Sequence, residues 1–505
     1  MPQYTPPNVL VVMSDQHHPR FMGCAGHPLM HTPNLDRLAA RGTRFASAYC
    51  NFPLCGPSRM SFMTGRYASE IGCITNHDQL ASDTPTFAHA FGAAGYDTLL
   101  CGRMHFNGSD QRHGFRQRLI SDVKGRELCP QGEPIKVVLD SLSDTTGPNA
   151  RAIRKSGPGT CGYLAYDEAV TDTAVQWLRE RGAQQEQRPF MLTVGYVEPH
   201  APFVAYPDDF YRYNDRIGVD DLPQPHPETL HPELRRFQRR AQLEDAEPVP
   251  TEDQRRARAA YHGMCTFVDR QLGRVMDALE QAGLNENTIV VYTSDHGEQL
   301  GEHGMWWKHT FYEGSIGVPM VMSGPGVPAG RVVEENVSLV DLPPTLLDLA
   351  GAPAIPHASG RSFRCLLEGQ VEPWPNEVFA EAYWSAASEH LHYMIRRGPW
   401  KLNRYPGFEP QLFNLADDPE ETRDRAGDAD CRAVRALLES RLDEWTRAHP
   451  PTAHPLARGE TRGWIQEALF NCDLTEPDAP WYDPDNPPEN RIDPVESSAA
   501  TTSTD

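Results

Sequence analysis

The chain has 505 residues and a formal net charge of −22 at pH 7, which excludes a nucleic-acid binder held by phosphate contacts but leaves room for an anionic substrate in a local cationic pocket. The length exceeds what one compact core usually serves, so a large domain with a smaller satellite is expected. Eleven cysteines without a CxxC pair exclude a zinc ribbon and a disulfide framework, and read mostly as buried thiols.

In chain order, residues 1–7 lack the basic and apolar regions of a signal peptide, and no later stretch approaches the length of a membrane span. The expectation is a cytoplasmic protein with no membrane partner. Residues 9–13 are apolar and end in Ser14-Asp15-Gln16. Residues 98–101 lead into Gly102-Arg103-Met104-His105. Residues 190–197 lead into Glu198-Pro199-His200, and residues 288–293 into Ser294-Asp295-His296-Gly297. Short Val-rich runs bounded by turn residues predict buried strands. Helical patterns lie between them at 35–41, 166–181 and 261–282. This alternation predicts an α/β fold with a central, mostly parallel sheet flanked by helices. Ligands gather at the carboxyl ends of such strands, where all four of these runs place ionisable groups.

Residues 205–256 are rich in Pro, Arg, Asp and Glu and read as a surface insertion. Near 374–378 the chain is expected to change domain. Short strands at 392–395, 400–403 and 411–414 predict a smaller α+β subdomain with an antiparallel sheet, closed by a helix at 431–448. The domain boundaries expected are 1–375, 376–448 and a tail over 449–505. The tail carries an apolar island around Trp464 and Phe470, and its end, 496–505, has the composition of a disordered segment.

The strongest local signal is Leu54-Cys55-Gly56-Pro57-Ser58-Arg59, followed by Thr64-Gly65-Arg66. C-x-P-S-R followed by T-G-R resembles the signature of the type I, formylglycine-dependent sulfatases of the alkaline phosphatase superfamily. The similarity runs in order through His31-Thr32-Pro33-Asn34, Pro199-His200-Ala201-Pro202, the 294–304 run and Trp307-Lys308. It covers about residues 8–425. The runs at 48–72 and 104–118 most resemble bacterial choline sulfatases, arylsulfatases and phosphonate monoester hydrolases. The resemblance implies an alkaline-phosphatase-like fold and an enzyme that cleaves a small sulfate ester. It also implies a formylglycine-generating enzyme as partner, which oxidises Cys55 after recognising Cys55, Pro57 and Arg59. One hydroxyl of the hydrated aldehyde would attack sulfur in line, and the other would break down the sulfated intermediate.

By the same resemblance Asp15, Gln16, Asp295 and His296 hold one divalent metal ion. Carboxylate and amide oxygens suit Ca²⁺, the first choice, while a histidine ligand keeps Mn²⁺ and Mg²⁺ open. Many sulfatases carry Asp at the position of Gln16 and Asn at that of His296. Arg59 would hold the hydrated aldehyde and His105 would deprotonate its second hydroxyl. His200 would protonate the leaving alcohol, with Lys308 on the sulfate oxygens and able to share that role. Arg103, where the family usually has Lys, would contact the oxyanion. Trp306, Trp307 and His113 are candidate substrate contacts, the tryptophans suiting a quaternary ammonium or an aryl group. His17, His18, His27 and His31 lack metal-ligand spacing and read as solvated loop residues. A phosphonate monoester or phosphodiester hydrolase with the same machinery is the alternative activity, and a homo-oligomer the expected assembly.

Overall fold

A computed structural model of the chain describes residues 6–123, 150–184, 188–218, 230–240, 249–371, 373–384 and 390–451. The tail residues Trp464 and Phe470 and the stretch 496–505 lie outside them.

The core is an eight-stranded sheet. Its strands are β1 (Asn8–Ser14), β2 (Gly42–Phe45), β3 (Asp97–Gly102), β4 (Gln117–Ile120), β5 (Phe190–Gly195), β6 (Thr288–Ser294), β7 (Met320–Ser323) and β8 (Arg331–Val333). They lie in the order β8-β2-β7-β6-β1-β5-β3-β4. Neighbours are parallel except β7, which runs against both β6 and β2. The runs predicted at 9–13, 98–101, 190–197 and 288–293 are therefore four adjacent strands: β6, β1, β5 and β3. β1 and β6 are buried along their whole length, which is why they read as continuous apolar runs rather than alternating ones.

Apolar side chains from the two faces of the sheet enter different clusters. Val9, Val11, Met13, Ile289 and Val291 join one, and Leu10, Val12, Leu192, Val290 and Tyr292 the other, as the period of two requires. On the second face lie the helices Gly162–Gly182 and Thr251–Gln281, which bury Val170, Leu178, Phe267 and Leu272 there. The second of these starts ten residues before its apolar pattern does. Its first turns carry the charged run Thr251–Ala260, so part of the predicted surface insertion is helix. Further described parts of that insertion form the short helices Pro207–Tyr211 and Pro232–Arg240.

A second sheet is antiparallel, with strands β9 (Glu377–Ala382), β10 (His392–Arg397), β11 (Trp400–Arg404) and β12 (Gln411–Asn414) in sequential order. Helix Arg432–Ala448 packs on it through Leu438, Leu442 and Trp445. Lys401 of β11 is fully buried between Glu313 (2.8 Å) and Glu421 (2.7 Å). Glu313 also meets Arg396 (3.2 Å) and the Tyr49 hydroxyl (2.8 Å). This network ties the second sheet to Tyr49 and to helix Glu313–Ile316. Among the described residues no helix is long and apolar enough to cross a membrane.

A buried ion pair that loses one partner leaves the other charge uncompensated. Lys401→Ala is expected to lower the free energy of unfolding by about 3–5 kcal/mol, read as a lower urea midpoint. An unchanged midpoint would show that the network does not hold the second sheet in place.

Candidate active site

The register of two central strands sets the first pair of site residues. Ser14 is paired with Ser294 at the ends of β1 and β6, so Asp15 and Asp295 each emerge one residue beyond the sheet. Their backbones are still pinned: Asp15 N–H donates to Glu198 O and Asp295 N–H to Ser14 O. Gln16 follows with φ of 70°. Its N–H donates to Asp295 Oδ1 at 3.0 Å, as does His296 N–H at 2.9 Å.

The C-x-P-S-R run folds as the start of helix Cys55–Thr64. Cys55 occupies the first turn, and Pro57 fits there because its missing N–H would be unpaired in any case. Gly65, at φ 64°, ends the helix in the left-handed conformation, which accounts for the glycine of T-G-R. Every residue of the helix is buried. Arg59 lies four residues after Cys55 and so on the same helix face. It donates from Nε to Asp295 Oδ2 (2.8 Å), from Nη2 to Asp15 Oδ2 (3.1 Å) and from Nη1 to Arg103 O (3.1 Å). Ser58 Oγ donates to Asp295 O at 2.5 Å.

Cys55 Sγ is surrounded by the other predicted groups. It lies 3.1 Å from Lys308 Nζ, 3.2 Å from His296 Nε2 and 3.6 Å from Asp15 Oδ1. His105 and His200 stand close enough to favour its charged form as well. Burial favours the neutral thiol, but Lys308, His296 and these two histidines outweigh it and hold the thiol well below its ordinary range. Asp15 follows the same logic. Burial and the Cys55 sulfur would raise its carboxyl, yet Arg103, His200 and Arg59 keep it below the usual carboxylate range. Asp295 is raised by burial despite Arg59. His200 is pulled down to about 4 by burial and by Lys308. Its Nδ1 lies 2.6 Å from Ala201 O, which can only accept, so Nδ1 carries the proton of the neutral ring and Nε2 is left for Cys55.

One ligand atom each from Asp15, Cys55, Asp295 and His296 falls within a 4.8 Å cluster, and all four residues are buried. Gln16 adds an amide oxygen beside them. Two carboxylates, an amide and an imidazole form a donor set that fits a hard divalent cation.

Arg103 reaches Asp15 Oδ2 from Nε at 2.6 Å, His105 Nδ1 at 3.2 Å and Asp122 at 3.6 Å. It thus bridges the Asp15 carboxylate and the His105 ring. Trp306 and Trp307 are buried in an apolar cluster with Phe21, Phe203 and Tyr261. His113 is buried against Phe106 (4.6 Å between centroids) and beside Asp110 (3.4 Å). The reading of His17 and His18 as solvated is overturned, since both are buried. His17 bonds the Tyr292 hydroxyl (2.6 Å) and Phe21 O (3.1 Å). Strand β1 carries them into the core directly behind Gln16, a consequence of topology that spacing does not reveal.

Three acids escaped the sequence reading. Glu298 is buried and accepts from Gln16 Nε2 at 2.5 Å. Asp122 accepts from Met104 and His105 N–H (3.1 and 2.7 Å). Asp167 accepts from Val197 and Glu198 N–H (2.9 and 2.8 Å), steadying the approach to His200. Glu298 was visible in the Ser294-Asp295-His296-Gly297-Glu298 run, whereas Asp122 and Asp167 stand in stretches with no motif.

Comparison with known proteins agrees with this geometry. The Sulfatase family model matches residues 7–352, and the N-sulphoglucosamine sulphohydrolase C-terminal model matches residues 301–448. A choline-sulfatase of Rhizobium meliloti (strain 1021) is 32% identical over 491 residues, covering 92% of each chain. An arylsulfatase of Clostridium perfringens (strain 13 / Type A) is 30% identical over 438 residues, covering 82% of this chain and 89% of its own. The crystal structure of a phosphonate monoester hydrolase of Agrobacterium radiobacter has a TM-score of 0.71 at 25% identity, covering 88% of this chain and 96% of its own. The chain belongs to the sulfatase family and is a sulfuric ester hydrolase of that family.

Proposed function

We propose that the protein hydrolyses a small aryl or alkyl sulfate, with position 55 as nucleophile after conversion of Cys55 to formylglycine. The observation that carries this reading is the convergence on Cys55 Sγ of Lys308, His296 and Asp15 in a fully buried setting. A sulfate ester is a poor electrophile because its oxygens shield the sulfur, so cations and a proton donor are needed around the attacking atom. The hydrated aldehyde supplies one hydroxyl as nucleophile and a second that allows sulfate to be released.

Asp15, Gln16, Asp295 and His296 would hold the divalent cation, with Ca²⁺ the first choice and Mn²⁺ or Mg²⁺ the next. Bound there, it would place positive charge beside the reacting oxygens. Lys308 binds a sulfate oxygen as a point charge at the rim of the cluster. Arg59 compensates the charge of Asp15 and Asp295 beneath the nucleophile. His105 would take the proton of the second hydroxyl at Nδ1, for which that nitrogen must leave the Arg103 guanidinium it now accepts from, while Nε2 stays on Asn76 O at 3.2 Å. Asp122 sets the backbone on which Arg103 and His105 stand. Arg103, turned onto Asp15, acts on the oxyanion less directly than a lysine would.

His200 protonates the leaving oxygen. It is neutral at rest, and an anionic ester entering beside it favours its charged form. The acid is therefore created by substrate binding. The relative from Rhizobium meliloti makes choline sulfate one candidate ester. The likeness to the phosphonate monoester hydrolase of Agrobacterium radiobacter supports a second reading, a phosphonate monoester or phosphodiester hydrolase with the same machinery.

The two readings separate on a matched pair of substrates. With the same phenol as leaving group, kcat/KM is expected to be higher for the aryl sulfate than for the aryl phosphonate monoester. A phosphonate preference of orders of magnitude would reverse the assignment. General acid catalysis contributes roughly 10²–10⁴-fold, so His200→Ala should cost about that factor on an alkyl sulfate. It should cost much less on a nitrophenyl sulfate, whose leaving group departs without a proton. Equal losses on both esters would remove His200 from that role.

A further inference from the structure

Gln16 is the residue in the proposed metal set whose orientation matters most. A carboxylate presents oxygen either way, but an amide presents oxygen or NH₂ depending on which way it is turned. Two groups face its ends. On one side Glu298 Oε2 lies 2.5 Å from Gln16 Nε2. On the other, Lys308 Nζ lies 2.6 Å from Gln16 Oε1. The Lys308 ammonium can only donate, so the end it faces is the amide oxygen, and the NH₂ is left to donate to Glu298. The oxygen is turned to Lys308 and the site, the NH₂ to Glu298.

Glu298 is itself fixed. It is fully buried, and its second oxygen, Oε1, accepts from the N–H groups of Leu300 (2.8 Å) and Trp307 (2.6 Å). Both of those residues have positive φ, 50° and 66°, backbone that L-residues rarely adopt. The carboxylate therefore pins the loop that delivers Lys308 with one oxygen and the amide of Gln16 with the other.

We propose that Glu298 is a positioning residue that polarises and orients Gln16 so that its oxygen serves the divalent cation. This rests on the proposed metal site. Groups that orient a metal ligand from behind are worth about 10–100-fold in affinity. The pair also allows a swap. In Glu298→Gln, position 298 would present NH₂ to the NH₂ of Gln16, so the Gln16 amide would turn over and lose its oxygen from the site. Combining Glu298→Gln with Gln16→Glu restores one donor facing one acceptor, and returns an oxygen of the same reach to the cation.

The test is calorimetric titration of Ca²⁺, and separately of Mn²⁺, into chelator-treated full-length protein. The parent, Gln16→Glu, Glu298→Gln and the double variant are compared. Glu298→Gln is expected to weaken binding by about 10–100-fold, and the double variant to recover to within about threefold of the parent. Parent-like affinity in Glu298→Gln, or a double variant no tighter than the weaker single one, would overturn the proposal while leaving the metal site standing. A parent that binds neither ion would remove the metal site and this inference together. If Glu298→Gln does not fold, a folded double variant of near-parent affinity still supports the proposal. Failure of both to fold would mean that the carboxylate serves only the loop, and would overturn it.

Discussion

The site depends on burying two carboxylates, Asp15 and Asp295, at the ends of neighbouring strands. Each would cost several kcal/mol if left unpaired. Arg59 makes the arrangement possible. Its guanidinium contacts both acids at once, and because it shares a helix face with Cys55, the pairing also fixes where the nucleophile stands. Neutralisation of the acids and placement of position 55 are one structural event. Lysine could not replace Arg59, since a point charge lacks the planar fork that reaches two carboxylates and a carbonyl.

Around that pair the molecule forms a second layer. The central sheet fixes the height of Asp15 and Asp295 through backbone register. The antiparallel sheet supports the helix of Cys55 from another direction. Asn51, just before that helix, donates to Phe379 O (2.9 Å) and accepts from Val340 N–H (2.8 Å). Ser69, just after it, binds the buried Glu381 through its N–H (3.0 Å) and hydroxyl (2.5 Å). Strand β9 thus holds both flanks of the helix. The carboxyl groups of Asp122, Asp167 and Glu298 each accept from backbone N–H groups beside a proposed reacting residue. They fix loops that would otherwise carry His105, His200 and Lys308 loosely, and preorganisation of this kind is what electrostatic catalysis requires.

Much of this was legible in the sequence, and the reason differs by element. β1, β3, β5 and β6 were readable because they are buried on both faces along nearly all of their length and each carries a continuous apolar run. The strands β2, β4, β7 and β8, of three or four residues, gave no such signal, since register with a neighbour rather than composition defines them. Asp15, Gln16, Asp295 and His296 stood out because a polar cluster directly after a buried strand has few structural uses. Cys55 and Arg59 stood out through the resemblance of C-x-P-S-R to the sulfatase signature. Asp122 and Asp167 could not be seen, because each acts on backbone brought near by tertiary folding. The burial of His17 and His18 was missed for the same reason: their partners Tyr292, Tyr261 and Glu302 lie more than two hundred residues away.

The central claim is that position 55, converted from cysteine, is the reacting group. Its most direct measurement is mass spectrometry of the peptide containing Cys55, from protein co-expressed with a formylglycine-generating enzyme, alongside sulfatase activity of the same samples. The account predicts that sulfur at position 55 is replaced by an aldehyde oxygen, and that activity rises in proportion to the converted fraction. Full activity in protein whose Cys55 is entirely unmodified would contradict it.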